Sequence, residues 1–130
     1  MYGKGAREEV TIDSVIERAK ELAKAIGESP EYQNFRKKHK ELKRDAEATK
    51  LLNQLREKRK QINEKLRLGK PIEPQEKREI QQIQAQLNKN PTFISYAKAQ
   101  GAYFNLIKRI NEAMTEGIKE KLEILNLDEE

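Results

Sequence analysis

Apolar residues recur along this chain at three- and four-residue steps, the spacing that lines up one face of a helix. The first run is Ile12, Val15, Ile16, Ala19, Leu22, Ala23 and Ile26. Thr11 or Ser14 is placed to cap it, Ser14 and Glu17 have capping-box spacing, and Gly27 is the expected end. Ser29-Pro30-Glu31-Tyr32 then restarts the chain. A serine hydroxyl accepts a bond from an orphan N–H, and proline has no N–H to lose at the first helical position. The next stripe is Tyr32, Phe35, His39 and Leu42. Asp45-Ala46-Glu47-Ala48 interrupts its rhythm. Either Asp45 caps a new helix there, or one helix runs through with a slip of phase into Leu52, Leu55, Arg59, Ile62 and Leu66. A single helix over 31–67 would be about 55 Å long, an elongated shape for a chain of this size.

Leu68-Gly69-Lys70-Pro71-Ile72-Glu73-Pro74 is the one clear connector, with a glycine and two prolines. Pro74 suits the first turn of a short helix carrying Ile80, Ile83 and Leu87. Asn90-Pro91-Thr92-Phe93 opens the last helix, over about 92–125, by the same logic as Ser29-Pro30. Both starts read cap, proline, aromatic, aromatic, so Tyr32, Phe35, Phe93 and Tyr96 are expected to cluster. The last helix is the most apolar. Its stripe of Phe93, Tyr96, Ala97, Tyr103, Phe104, Ile107, Ile110, Met114, Ile118, Leu122 and Leu125 is wider than one partner requires. Gly101 and Gly117 interrupt this helix at about 1 kcal/mol each relative to alanine, a penalty that close approach of another helix would offset. They are expected to be packing sites.

The domain organisation that follows is an N-terminal arm over 1–10, one α-helical domain over 11–126 and an acidic tail over 127–130. The fold class is all-α, an elongated bundle of antiparallel helices completed by homo-oligomerisation. Tyr96, Tyr103, Phe104, Ile107, Ile110 and Met114 are the expected oligomer or partner interface. A homodimer is the commonest way to cover such a stripe.

Composition narrows the function. Of 130 residues, 35% are hydrophobic and 38% charged, with neither Trp nor Cys; mean hydropathy is -1.00. No run approaches the roughly 18 apolar residues of a membrane span. Without cysteine, disulfides and thiolate metal sites are excluded. The opening residues carry no secretion signal, so a cytoplasmic location is expected.

The net charge of +5 is uneven. Residues 31–70 hold 14 Lys or Arg against 6 Asp or Glu. Arg36, Lys37, Lys40, Lys43 and Arg44 make a candidate nucleic-acid face, and Arg56, Lys58, Arg59 and Lys60 form a second cluster. Interspersed acids such as Glu41, Asp45 and Glu47 favour an ordinary solvated helix face instead. No zinc finger, basic zipper or aromatic RNA-binding motif accompanies the cations.

Catalytic candidates are few. His39, the only histidine, lies on the apolar phase of its helix among cations and reads as a boundary of the core. There is no H-E-x-x-H, E-x-x-H, G-x-S-x-G or phosphate-binding glycine loop. Neither enzymatic activity nor a cofactor or metal is expected.

The order and spacing of several segments resemble the YlbF/YmcA family. They are Ala19-Lys20-Glu21-Leu22-Ala23-Lys24-Ala25-Ile26, Ser29-Pro30-Glu31-Tyr32 with Phe35, Asp45-Ala46-Glu47-Ala48 with Leu51-Leu52, and Leu87-Asn88-Lys89-Asn90-Pro91. These are small helical bacterial proteins linked to competence, sporulation and biofilm control. The resemblance covers about residues 14–118. It implies packed antiparallel helices, self-association, and a regulatory or adaptor role through contacts with itself and related helical regulators. Some members act in a complex that assists messenger-RNA processing by ribonuclease Y, and some carry an iron–sulfur cluster on cysteines. This chain has no cysteine to hold one. It also has Ala46 where relatives often have proline after the aspartate. The expectation is a non-enzymatic regulator or adaptor. A nucleic-acid-binding protein using residues 36–44 is the alternative.

Overall fold

The computed structural model describes the backbone of residues 10–129 and the side chains of residues 10–124. Among the described residues there are five helices and no strand. They are α1 (Ile12–Glu28), α2 (Pro30–Arg44), α3 (Ala46–Arg67), α4 (Pro74–Leu87) and α5 (Pro91–Glu129). The expected arm over 1–10 falls, except for Val10, outside the described residues. Helix α5 continues to Glu129, so Asp128 and Glu129 of the expected acidic tail are helical.

Local hydrogen bonds explain most helix ends. Thr11, rather than Ser14, caps α1 by accepting from the Ser14 N–H at 3.1 Å. Glu17 turns to Lys20 instead of closing a capping box. Gly27 does not end α1. Ser29 does, and it serves both neighbours: its hydroxyl donates to the Ile26 carbonyl at 2.6 Å and accepts from the Tyr32 N–H at 3.2 Å. Asp45 divides the 31–67 stretch, so no single rod forms. Its backbone is extended and its carboxylate accepts from the Ala48 N–H at 2.9 Å. Gly69 adopts φ 72° just after α3, a left-handed conformation that only glycine takes up readily. Asn90 caps α5 by accepting from the Phe93 N–H at 2.9 Å.

The helices pair as two antiparallel sets. Tyr32 lies beside Tyr103 and His39 beside Tyr96, so α2 and α5 run in opposite directions. Lys58 pairs with Glu79 and Lys65 with Glu76, which fixes α3 against α4 in the same sense. Leu51, Leu55 and Leu87 form the central cluster, with Leu52, Ile80, Ile83 and Phe93 packed around it. Phe93 therefore attaches the start of α5 to the α3–α4 hairpin.

This core is thin. The buried apolar residues are Leu42, Ala48, Leu51, Leu55, Leu87 and Ala99. Large apolar side chains such as Val15, Ile16, Phe104, Met114 and Ile118 stay exposed, so helical faces lie outside this core.

Leu87 is 2% exposed and central to the hairpin. Leu87→Ala is expected to cost about 2–5 kcal/mol, read from the urea midpoint. A loss below about 1 kcal/mol would show that the hairpin is not where stability resides.

Candidate protein-interaction surface

The aromatic residues at the two proline starts meet along the α2–α5 contact. Phe35 is the centre. Its ring stacks on Tyr103 at 5.1 Å between centroids and lies 5.7 Å from Tyr96 and 6.5 Å from Phe104. Phe93 reaches Tyr96 at 6.4 Å, and Tyr32 meets Tyr103 edge-on at 5.6 Å. The structure thus brings Phe35, Phe93 and Tyr96 together and connects Tyr32 through Tyr103. The antiparallel pairing recruits Tyr103 and Phe104 to the cluster. His39 lies between Phe35 and Tyr96, half-buried, which is the boundary position its spacing implied.

The six residues expected at an interface divide into two groups. Tyr96 and Tyr103 are half-buried against α2 of the same chain. Ile107 and Ile110 are also half-buried, whereas Phe104 is 57% exposed and Met114 is 49% exposed. Ile118, Leu122 and Ile124 continue the exposed side. Every described side chain of α5 from Asn111 to Ile124 is exposed. Phe104, Ile107, Asn111 and Thr115 line a shallow open depression. Helix α2 has 15 residues and α5 has 39, so α5 runs far beyond the end of its partner.

Two details of the sequence reading are corrected. No atom comes within 4 Å of a side chain built at Gly101 or Gly117, so neither glycine accommodates a neighbouring helix within the chain. The register of α5 also differs. Ala97 is exposed and Ala99 is buried, because α2 covers the Tyr96, Ala99 and Tyr103 side of the helix.

Arg36, Lys37, Lys40, Lys43 and Arg44 are all exposed, and Phe35, His39 and Leu42 occupy the inward positions of α2. Arg36, Lys37, Lys40 and Arg44 line an open groove with Gln33 and Glu41. Among the described residues no ion pair engages these five cations, and Glu41 pairs with Lys38. In the second cluster Lys58 is held by Glu79, while Arg56, Arg59 and Lys60 are exposed and line an open groove of their own with Arg67.

Titration is perturbed where structure is held together. The Ala48 N–H, helped by the Thr92 side chain and opposed by burial, holds the Asp45 carboxyl below its ordinary range, with Asn90 and the Glu47 backbone adding to the effect. The Lys65 ammonium holds Glu76 low, and the Lys58 ammonium, followed by Gln75, holds Glu79 low. The Lys58–Glu79 and Lys65–Glu76 pairs escaped the sequence reading. Their signal was two lysines seven residues apart facing two glutamates three apart. Among the described residues, no three His, Asp or Glu side chains converge as a metal site. No helix is long and apolar enough to cross a membrane among them.

These features define an all-α protein of two antiparallel helix pairs, with a projecting apolar helix and no convergent set of reactive groups among the described residues. The chain belongs to the YlbF/YmcA family: the family model for control of the competence regulator ComK, YlbF/YmcA, matches residues 15–119. A UPF0342 protein of Streptococcus mutans is 32% identical over 100 residues, covering 75% of this chain and 88% of that protein. A UPF0342 protein of Lactobacillus helveticus is 23% identical over 110 residues, covering 85% and 95%. The fold is similar to that of Bacillus subtilis RicA in its crystal structure in complex with RicF. The TM-score is 0.72 at 20% identity, covering 86% of this chain and 99% of that one. It is also similar to a protein of unknown function (DUF964) from Bacillus stearothermophilus, with a TM-score of 0.68 at 20% identity, covering 82% and 93%.

The depressed carboxyls dictate an acid response. A carboxyl lowered in the folded state contributes stability above its unfolded value and loses it as pH falls through the lowered one. Glu76→Gln is expected to flatten the decline of stability on acidification, measured by urea unfolding across a pH series. An unchanged slope would remove the Lys65–Glu76 pair from the account.

Proposed function

We propose that this protein is a non-enzymatic adaptor of the YlbF/YmcA family that works through helix-mediated contacts, with a second copy of itself or with a related helical regulator. The observation that carries this reading is the second half of α5. It bears Met114, Ile118, Leu122 and Ile124 in water, with no element of the same chain covering them among the described residues. An apolar stripe of this kind marks a protein contact rather than a core. The family's link to control of a competence regulator supports a regulatory role. RicA, whose fold this chain shares, has been crystallised with RicF, a protein partner. Helix-borne contacts also explain a thin private core, since the remaining apolar surface is buried on assembly.

The seam takes in Phe104, Ile107, Ile110 and Met114, from the end of the α2 contact onward. Ile107→Asp places a carboxylate there, and burying it unpaired costs several kcal/mol. Light scattering should show an assembled wild-type chain and a monomeric, still helical variant. A mass unchanged by the substitution would sink this seam.

A second reading follows from the unpaired cations of α2. The Arg36, Lys37, Lys40 and Arg44 groove has the character of a phosphate-contacting face, whose affinity falls steeply between about 50 and 200 mM salt. Reversing Lys40 and Arg44 to Glu is expected to abolish RNA or DNA binding at low salt. If the wild-type chain binds neither under those conditions, the second reading fails.

A further inference from the structure

Cations on an exposed helix ordinarily stand three or four residues from an acid. Helix α1 follows that pattern. Arg18 pairs with Glu21 and Lys20 with Glu17, and Lys24 has Glu21 and Glu28 at the same steps. Two stretches break it. Arg36 and Lys40 in α2, and Arg56 and Arg59 in α3, have no acid three or four residues away in either direction. Lys40 has a cation at all four of those positions: Arg36, Lys37, Lys43 and Arg44. Arg56 has Arg59 and Lys60 ahead of it. Like charges at these spacings destabilise a helix, and a bound anion would offset the repulsion.

The fold does not supply that anion. The α4 carboxylates that reach α3 go to Lys58 and Lys65. Arg56, Arg59 and Lys60 stay exposed and line an open groove with Asn63, Arg67 and the half-buried Leu52. Arg56 donates to the neutral Asn53 side chain at 3.1 Å, and Glu64, the acid of this groove, is held by Arg67. Among the described residues no ion pair engages Arg56, Arg59 or Lys60. The groove on α2 has the same makeup, since its one acid, Glu41, pairs with Lys38. That groove ends at Arg44, beside the Asp45 corner. From Ala46 to Arg56 is about 15 Å of helix, so the two grooves are neighbours along the chain.

We propose that the α3 groove is a second phosphate-contacting site, and that one nucleic-acid duplex engages it together with the α2 groove. The chemistry selects that ligand. Three of the four α3 cations are arginines, whose planar guanidinium meets phosphate oxygens in pairs. Asn63 adds a neutral donor beside them. A duplex carries one charge per about 1.7 Å of its axis, so each helix turn of about 5.4 Å finds a phosphate within reach. Single strands are gripped largely by stacking of bases on aromatic rings. Neither groove is lined by an aromatic ring, and Phe35 of α2 turns inward to Tyr96 and Tyr103. Contact is therefore with the backbone and blind to sequence. This inference rests on the second reading above and adds to it a site on a different helix.

Fluorescence anisotropy with labelled RNA and DNA duplexes of about 24 base pairs, from about 50 mM salt upward, tests this. The full chain is compared with the pair variants Arg56→Gln/Arg59→Gln and Lys40→Gln/Arg44→Gln. Glutamine is a good helix former and all four positions are exposed, so the variants should keep the wild-type circular dichroism. Each pair is expected to weaken duplex binding about tenfold or more and to lower the salt slope by about 2, for RNA and DNA alike. Arg56→Lys/Arg59→Lys should restore most of the slope. Binding that is unchanged in Arg56→Gln/Arg59→Gln but lost in Lys40→Gln/Arg44→Gln overturns the α3 site and leaves the α2 reading standing. The reverse result overturns the shared duplex. A wild-type chain that binds no duplex at low salt overturns both. Tighter binding of the single strands overturns the choice of a duplex. Polyglutamate that competes as well as the duplex overturns it too, and assigns the grooves to an acidic protein.

Discussion

The Asp45 carboxylate sits where two corners of the chain meet. It caps α3 through the Ala48 N–H, and its ionised form is also favoured by Thr92 and Asn90 at the start of α5. Asn90 is itself buried and caps α5 through Phe93. The break between α2 and α3 and the break between α4 and α5 are thus held at one place. If α2 and α3 were continuous, the chain would carry a rod and the α3–α4 hairpin could not seat Phe93. Because the corner exists, Phe93 enters the cluster of Leu51, Leu55 and Leu87. That contact sets the rotation of α5 about its own axis.

The rotation has consequences along the whole helix. With Phe93 turned to the hairpin, Tyr96, Ala99 and Tyr103 face α2 and meet Phe35. The contact ends with α2, at its first residues. Helix α5 does not end there: Ile107 and Ile110 are still half-buried, and Met114, Ile118 and Leu122 carry the apolar phase onward into water. The exposed stripe follows from the mismatch between a helix of 39 residues and a partner of 15.

Helix starts were legible in the sequence because they are local chemistry. Ser29-Pro30 and Asn90-Pro91 satisfy orphan N–H groups within three residues, and so does Thr11 with Ser14. The sequence leaves the break at Asp45 open, since Ala46 permits either outcome; the structure resolves it with the Asp45 carboxylate accepting from the Ala48 N–H. Spacing also mistook Ala97 for a buried residue and missed Ala99. A stripe broad enough for two partners has two phases, and only the position of α2 selects between them. Gly101 and Gly117 looked like contact points because a helical glycine is unfavourable without one; within the chain neither has one. The family was legible because caps, spacings and the aromatic starts occur together in order, and the match over residues 15–119 rests on that same stretch.

Charge and apolar surface are segregated for a related reason. Residues 31–70 are strongly basic, but α3 spends Lys58 and Lys65 on carboxylates of α4. The remaining surplus is shared between the outer side of α2 and an open groove on α3 lined by Arg56, Arg59, Lys60 and Arg67. The inward side of α2 holds Phe35, His39 and Leu42 against its neighbours, so Arg36, Lys40 and Arg44 point away from α5. An assembly built on the α5 overhang leaves this basic face in water. The basic face of α2 and the exposed stripe of α5 are thus separate surfaces of this fold. Substitution at Ile107 and charge reversal at Lys40 and Arg44 should therefore combine additively in their effects on stability, as expected for sites without shared partners.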